Sequence, residues 1–188
     1  MEAALSLFAE KSYDAVTMTE VAARAGAPIG SLYQFFPSKE SLAEALLERF
    51  GEQVVVALGA IEERAAAISL PELAELLLRV LPGMQQERAV VSTLLESRQD
   101  ASARALELRL LLRRYVTRIL RVRAPELPLE RVEAAALLVI QLMKAAARVD
   151  AENEAGVREV VLGELKEVMV LYLNERLGAG PGVDGSSD

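Results

Sequence analysis

An all-helical protein is what this sequence predicts, on three observations. Ala, Leu, Glu and Arg, all good helix formers, dominate the chain, whereas strand-favouring aromatic side chains make up only 4% of it. Apolar residues recur at helical spacing through most of its length. The interruptions of that pattern are short and fall at residues that start, cap or stop helices. With 188 residues, 52% of them hydrophobic, the chain has enough apolar surface to bury the core of one or two domains.

The first helix spans Glu2 to Lys11, where Leu5 and Phe8 lie three apart with Ala4 and Leu7 beside them, and it ends near Ser12. Thr17-Met18-Thr19-Glu20 fits a capping box, with Val16 and Val21 at the two positions of a hydrophobic staple, so a second helix begins at Thr17. It runs through Ala22 and Ala25 for about two turns and meets Gly26, the residue expected where a left-handed cap is needed. Pro28 is placed as the first residue of another short helix, which stops before Pro37. Ser38 then caps a longer helix through Leu42, Ala45, Leu46 and Arg49. Further helices follow, separated at Ser69-Leu70-Pro71, Pro82-Gly83, Gln99-Asp100, Ala124 to Pro128 and Asn153 to Gly156. From Gly178 onward, GAGPGVDGSSD carries too little apolar surface to fold.

Composition excludes several functions. Without cysteine or histidine the chain has no disulfide, no thiolate nucleophile, no Cys/His zinc site and no imidazole base, so no catalytic, metal or cofactor-binding residue is expected. The most apolar run, Ala134 to Ala147, is broken by Gln141 and Lys144 and is shorter than the roughly 20 residues a membrane span needs. No signal stretch opens the sequence, and a soluble, cytoplasmic protein is expected. A net charge of −7 disfavours indiscriminate binding to nucleic acid or anionic membranes.

Two short helices joined by a glycine-containing turn outline a helix-turn-helix, whose second helix enters the DNA major groove. Ala3 to Phe50, in particular AALSLFAEKSYDAVTMTEVAARAGAPIGSLYQFFPSKESLAEAL, resembles the N-terminal domain of TetR (tetracycline-repressor-like) transcriptional regulators in order, spacing and residue type. The resemblance covers about a quarter of the chain. It implies a DNA-binding domain over residues 1–50, a helical effector-binding and dimerisation domain over 51–177 and a disordered tail over 178–188.

The residues themselves fit that reading. Leu32 and Phe36, four apart, face Val21 and Ala22 as a small core. Pro28, Ile29, Gly30, Ser31, Tyr33 and Gln34 are left for DNA: Gly30 permits close backbone approach, Ser31 and Tyr33 offer hydroxyls to phosphates, and Gln34 meets an adenine edge. Lys39 with the amides after Ser38 forms a phosphate site at a helix start, and Thr17 and Thr19 form another. Taken singly, Tyr33 and Phe35 read equally as core aromatics, Lys39 as a solvated charge and Thr17 as a cap. Residues 1–50 hold four basic and seven acidic side chains, a net −3. Relatives often carry a basic arm before the first helix, and many have a polar or basic residue where Ile29 stands. The expected consequences are modest affinity with strong salt dependence and contact of Ile29 with a thymine methyl.

Two late helices are broadly apolar. One spans about Leu129 to Asp150; the other, about Ala155 to Leu177, places Val157, Val161, Leu165, Val168 and Tyr172 on one face. A twin subunit on that face gives the four-helix interface of TetR-like homodimers, against the alternative of a thick monomeric core. Between Ala101 and Arg123 seven arginines accompany one glutamate, read as a solvated face paired with acidic helices around Glu44, Glu48, Glu62 and Glu63, or as a site for an anionic ligand or DNA. Candidates to line the effector pocket are Thr93, Arg98, Tyr115, Gln141, Met143 and Lys144. The partners expected are a small-molecule effector, double-stranded operator DNA of pseudo-palindromic sequence and a second copy of the chain. The rival is a dimeric helical ligand-binding or protein-interaction module with weakened DNA binding.

Overall fold

The computed structural model describes residues 1–11, 13–84, 103–152 and 154–177. Its elements are α1 (Glu2–Glu10), a 3-10 turn (Tyr13–Ala15), α2 (Met18–Arg24), α3 (Ile29–Phe35), α4 (Lys39–Arg64), α5 (Leu70–Val80) and a second 3-10 turn (Pro82–Met84). Then come α6 (Ala103–Arg123), α7 (Leu129–Glu152) and α8 (Ala155–Leu177). The described residues contain no strand, and the protein is all-α. None of these helices is long and apolar enough to cross a membrane. Thr93, Arg98 and the tail from Gly178 lie outside the described residues.

The chain forms two compact units, Met1–Val55 with Gly83–Leu111, and Val56–Pro82 with Leu112–Asp188. In the first, α1 packs on α2 and α2 on α3. Leu5, Leu7, Phe8, Val16, Val21, Ala22, Leu42, Leu46 and Phe50 are all buried. Phe8 and Tyr13 stack at a tilt with ring centroids 5.4 Å apart. This core is small, so the precision of the turns matters as much as the apolar area.

Those turns follow from single residues. Thr17 is the N-cap of α2, its hydroxyl accepting the Glu20 amide at 3.3 Å while the Glu20 carboxylate accepts the Thr17 amide at 2.9 Å, a complete capping box. The staple residues Val16 and Val21 are both buried. At the other end Gly26 adopts φ 63°, and the amides of Gly26 and Ala27 donate to the carbonyls of Ala23 and Ala22 at 3.1 and 3.0 Å. That is a Schellman motif, and its positive φ is why glycine stands there. Pro28 is the N-cap of α3 and not its first residue: its extended ψ of 137° leaves its carbonyl to accept the Ser31 and Leu32 amides at 3.0 and 3.3 Å. Phe36, extended at φ −132°, ends the helix before Pro37. Ser38 and Ser41 then cap α4 reciprocally, each hydroxyl accepting the other's amide at 3.1 Å.

In the second unit α5 packs against α7 and α8, and α7 against α8. Leu73 and Leu77 of α5, Val132, Val139 and Met143 of α7, and Met169 and Leu173 of α8 are all fully buried. Ser69 caps α5 by accepting the Glu72 amide at 3.3 Å. Arg123 closes the end of α4 by donating to the carbonyls of Ala65 and Ile68 at 2.8 and 2.6 Å. Arg118 pairs with Glu62 at 2.7 Å and Arg113 with Glu133 at 2.7 Å, so much of the arginine-rich helix is held by carboxylates and carbonyls of its own unit.

Candidate nucleic-acid interface

Helix α3 is unusual in burying none of its seven residues. Leu32 and Phe36 are half-buried toward α2, and that shallow contact, with the Gly26 turn before it and Pro37 after it, holds the helix. Pro28, Ile29, Gly30, Tyr33, Gln34 and Phe35 are all exposed, and Ser31 is half-buried. At about 100° per residue, Ile29, Tyr33, Gly30 and Gln34 share one arc of about 140°. A Cβ added at Gly30 would meet no atom within 4 Å, so the backbone there is open to an approaching surface.

Phe35 is 78% exposed, the highest value for a large apolar side chain among the described residues, and sequence reasoning left it undecided between core and surface. The signal was present, because assigning Leu32 and Phe36 to the supporting face turns Phe35 away from it. Tyr33, offered the same alternative, is 48% exposed and likewise no core residue.

Three cations of residues 1–50, Lys11, Arg24 and Lys39, are engaged within the fold. Lys39 does not project beside the α4 start; its ammonium donates to the carbonyls of Tyr13, Asp14 and Val16 at 3.0, 3.3 and 3.1 Å and lies 4.5 Å from the Tyr13 ring centroid. Three protons thus meet three carbonyls, tying the first 3-10 turn to α4. Arg24 holds the Glu10 carboxylate through two hydrogen bonds of 2.8 and 2.9 Å. That fork, helped by the Ser6 hydroxyl, lowers the Glu10 carboxyl to about 2. Lys11 reaches Glu20 at 2.6 Å and, with the Thr17 amide and hydroxyl, lowers that carboxyl to about 2 as well. The Thr17 hydroxyl donates to the same carboxylate at 2.9 Å, which leaves the exposed Thr19 as the freer hydroxyl of the two.

The pocket candidates do not converge. Met143 is fully buried in the α7 seam, whereas Gln141 and Lys144 lie on the exposed face of the same helix. One helix cannot turn all three into one interior cavity, since Gln141 and Met143 are about 200° apart. Tyr115 is half-buried, with the Arg114 and Arg118 guanidinium groups 5.9 and 5.3 Å from its ring centroid. Sequence reasoning missed Thr117, whose buried hydroxyl has no hydrogen-bond partner among the described residues.

On α8 the buried line is Met169 and Leu173. Val157 and Val168 are 56% and 50% exposed, whereas Val161, Leu165 and Tyr172 are half-buried, nearer the packed side. The open apolar face is completed by Val160 and Leu171, 65% and 69% exposed, and α7 adds Leu137 and Leu138. The apolar face expected from spacing is therefore rotated, because α5 and α7 claim the side centred on Met169.

Residues 1–46 match the family model described as bacterial regulatory proteins, tetR family. Among curated proteins none matches the chain in sequence. Several solved structures share its fold over nearly the whole length. A transcriptional regulator of the TerR/AcrR family from Aquifex aeolicus superposes with a TM-score of 0.70 at 22% identity, covering 93% of this chain and 95% of its own. A TetR-like transcriptional regulator from a Rhodococcus species gives 0.64 at 21% identity, with 88% and 90% covered. The regulator FadR from Bacillus subtilis, in complex with stearoyl-CoA, gives 0.57 at 17% identity, with 94% and 93% covered. The family match lies on the unit that carries the capped α2, the glycine turn and the open α3, so it is residues 1–46 that match the tetR family of bacterial regulatory proteins, and the solved structures extend the likeness of fold to nearly the whole chain.

Proposed function

We propose that this protein is a homodimeric transcriptional regulator that represses by inserting α3 into the operator major groove and is released by a small-molecule effector. The observation that carries the reading is α3 itself, a helix with no buried residue. Exposed apolar and polar side chains held in a fixed frame serve recognition; a helix kept only for packing would bury one face. Residues 1–50 form the DNA-binding domain and 51–177 the effector and dimerisation domain. Within the site, Ile29, Gly30, Tyr33 and Gln34 face bases, while Pro28, Ser31, Thr19 and the α3 flank with Phe35 face the backbone. Thr17 and Lys39 act as the structural pins of that frame.

Two copies must present their α3 helices about 34–36 Å apart, or a multiple of that, to enter successive major grooves. The open α8 face, with Val157, Val160, Val168 and Leu171, supports pairing of two copies there. An effector that favours another spacing selects a state unable to bind DNA. The stearoyl-CoA held by the B. subtilis FadR structure supports a small-molecule effector, and the buried Thr117 hydroxyl, without a partner among the described residues, is a polar atom that a ligand would satisfy.

The test is selection of double-stranded DNA from a random library by the full chain, followed by gel shift with and without candidate effectors. Recovery of a pseudo-palindromic site supports the reading, and failure to retain any sequence above background overturns it. A second reading, a dimeric ligand-binding or protein-interaction module with weakened DNA binding, is favoured by the commitment of Lys11, Arg24 and Lys39 to partners inside the unit. A ligand-induced thermal shift without DNA retention would select it.

A further inference from the structure

We infer that the half-site read by α3 is specified through adenine and thymine, with thymine C5-methyl groups as its main determinants. This rests on the reading of α3 as the groove-entering helix. Each base has a characteristic side-chain partner in the major groove: Arg or Lys for guanine, Glu or Asp for cytosine, Asn or Gln for adenine, and apolar groups for the thymine methyl. Helix α3, IGSLYQF, carries no charged residue and so lacks the bidentate partner of guanine and the carboxylate partner of cytosine, and its half-buried Ser31 hydroxyl discriminates no base. It does carry the other two. Gln34 is exposed for adenine, and Ile29, 39% exposed, shares a face one turn apart with Tyr33, 48% exposed.

Nearby cations do not supply the missing guanine contact. Lys11 is held by Glu20 at 2.6 Å, Arg24 by Glu10 at 2.8 and 2.9 Å, and Lys39 by three main-chain carbonyls. Moving any of them to a base edge would break two or more hydrogen bonds or a stacked contact inside the unit, except at Lys11, which would abandon a pair that also orients the α2 cap. Gly30 strengthens the case: with no atom within 4 Å of a would-be Cβ, its backbone can approach closely enough for a short side chain such as Ile29 to touch a methyl. An apolar contact needs that closeness, because it has no long-range component to compensate for a gap.

The test starts from the duplex selected by the full chain. Replacing single thymines by deoxyuridine removes only the C5-methyl. Loss of one buried methyl contact is expected to weaken binding about fourfold at each thymine under Ile29 or Tyr33. The Ile29→Ala variant, checked by circular dichroism for unchanged helicity, is expected to lose the difference between thymine and deoxyuridine at its position. Ile29→Val, the conservative change, is expected to retain most of it. Half-sites with invariant G·C pairs under α3, or uniform tolerance of deoxyuridine, would overturn the inference while leaving α3 as a DNA-reading helix. Failure to select any duplex would overturn both, so the two failures are distinguishable.

Discussion

Gly26 and Gly30 stand four residues apart with equally open surroundings, and alanine at the two sites should act with opposite sign. At each, an added Cβ meets nothing within 4 Å, so neither substitution creates a clash. The difference lies in the backbone. Gly26 sits at φ 63°, where an L side chain costs about 1–2 kcal/mol. Gly30 lies in the first turn of α3 with a helical backbone, where alanine gains about 0.5 kcal/mol by helix propensity. For a chain of this size 1 kcal/mol moves Tm by roughly 2–4 °C. Gly26→Ala should therefore lower Tm by about 2–8 °C and Gly30→Ala raise it by about 1–2 °C. On DNA the order is set by approach and not by stability. The new methyl at Gly30 stands between α3 and the groove, and overpacking of about 1–3 kcal/mol weakens binding at least about fivefold. Differential scanning fluorimetry at fixed protein concentration and gel shift on the selected duplex measure both quantities. A more stable Gly30→Ala variant that binds DNA as well as the parent would refute the close approach of α3, and an unchanged Tm for Gly26→Ala would refute the need for a left-handed cap.

Four further outcomes are expected. Thr17→Ala removes the side-chain half of the α2 capping box and should cost about 1 kcal/mol, read as a Tm fall of roughly 2–4 °C. Glu10 and Glu20 have folded-state values near 2, below the ordinary 4.5, so their contribution is fully present above about pH 4.5 and is lost as pH falls toward 2; Glu10→Gln should flatten that part of a Tm against pH curve. Val160→Glu with Leu171→Glu should turn a dimer into monomer by light scattering while leaving far-ultraviolet ellipticity unchanged, because both side chains are well exposed within one chain. Lys39→Met leaves three carbonyls without their common donor and should cost about 1–3 kcal/mol of stability, while the parent's log Kobs against log[salt] slope stays shallow, below about 4 in magnitude.

Local chemistry was the most legible part of this protein. Thr17, Glu20 and Gly26 act through neighbours within a few residues, and the structure places each in the cap or turn its type demands. Pro28 differs by one position, since proline suits both N-cap and first turn and only ψ decides between them. Lys39 was not legible, because its acceptors lie 23 to 26 residues earlier, in and just after a 3-10 turn that periodicity does not reveal. The rotation of the α8 face was hidden for a related reason: apolar residues surround much of that helix, and which of them are covered depends on where α5 and α7 pack. Gln141 and Lys144 looked like polar groups set into a buried helix; in the fold they lie on its exposed face, on the same arc as Leu137 and Leu138.

The commitment of cations to the fold bears on how such an acidic unit binds DNA on the proposed reading. In residues 1–50, carboxylates outnumber basic groups by three, and Lys11, Arg24 and Lys39 hold caps, helices and turns together. Few remain to attract phosphates, so a single α3 gains little from the electrostatic attraction that supplies most non-specific affinity. Contacts of the Ile29 and Gln34 kind are short-ranged and pay only at the right bases. Binding by one copy is then weak everywhere, and useful affinity requires two half-sites engaged together, the second at the high effective concentration that dimerisation provides. Specificity and dimerisation are thereby coupled. The Val160→Glu and Leu171→Glu chain, though its α3 is untouched, should lose operator binding by about 100-fold or more, whereas Gly30→Ala should lose it without changing the dimer. A monomeric variant that keeps near-parental affinity for one half-site would show instead that phosphate contacts beyond those described carry the interaction.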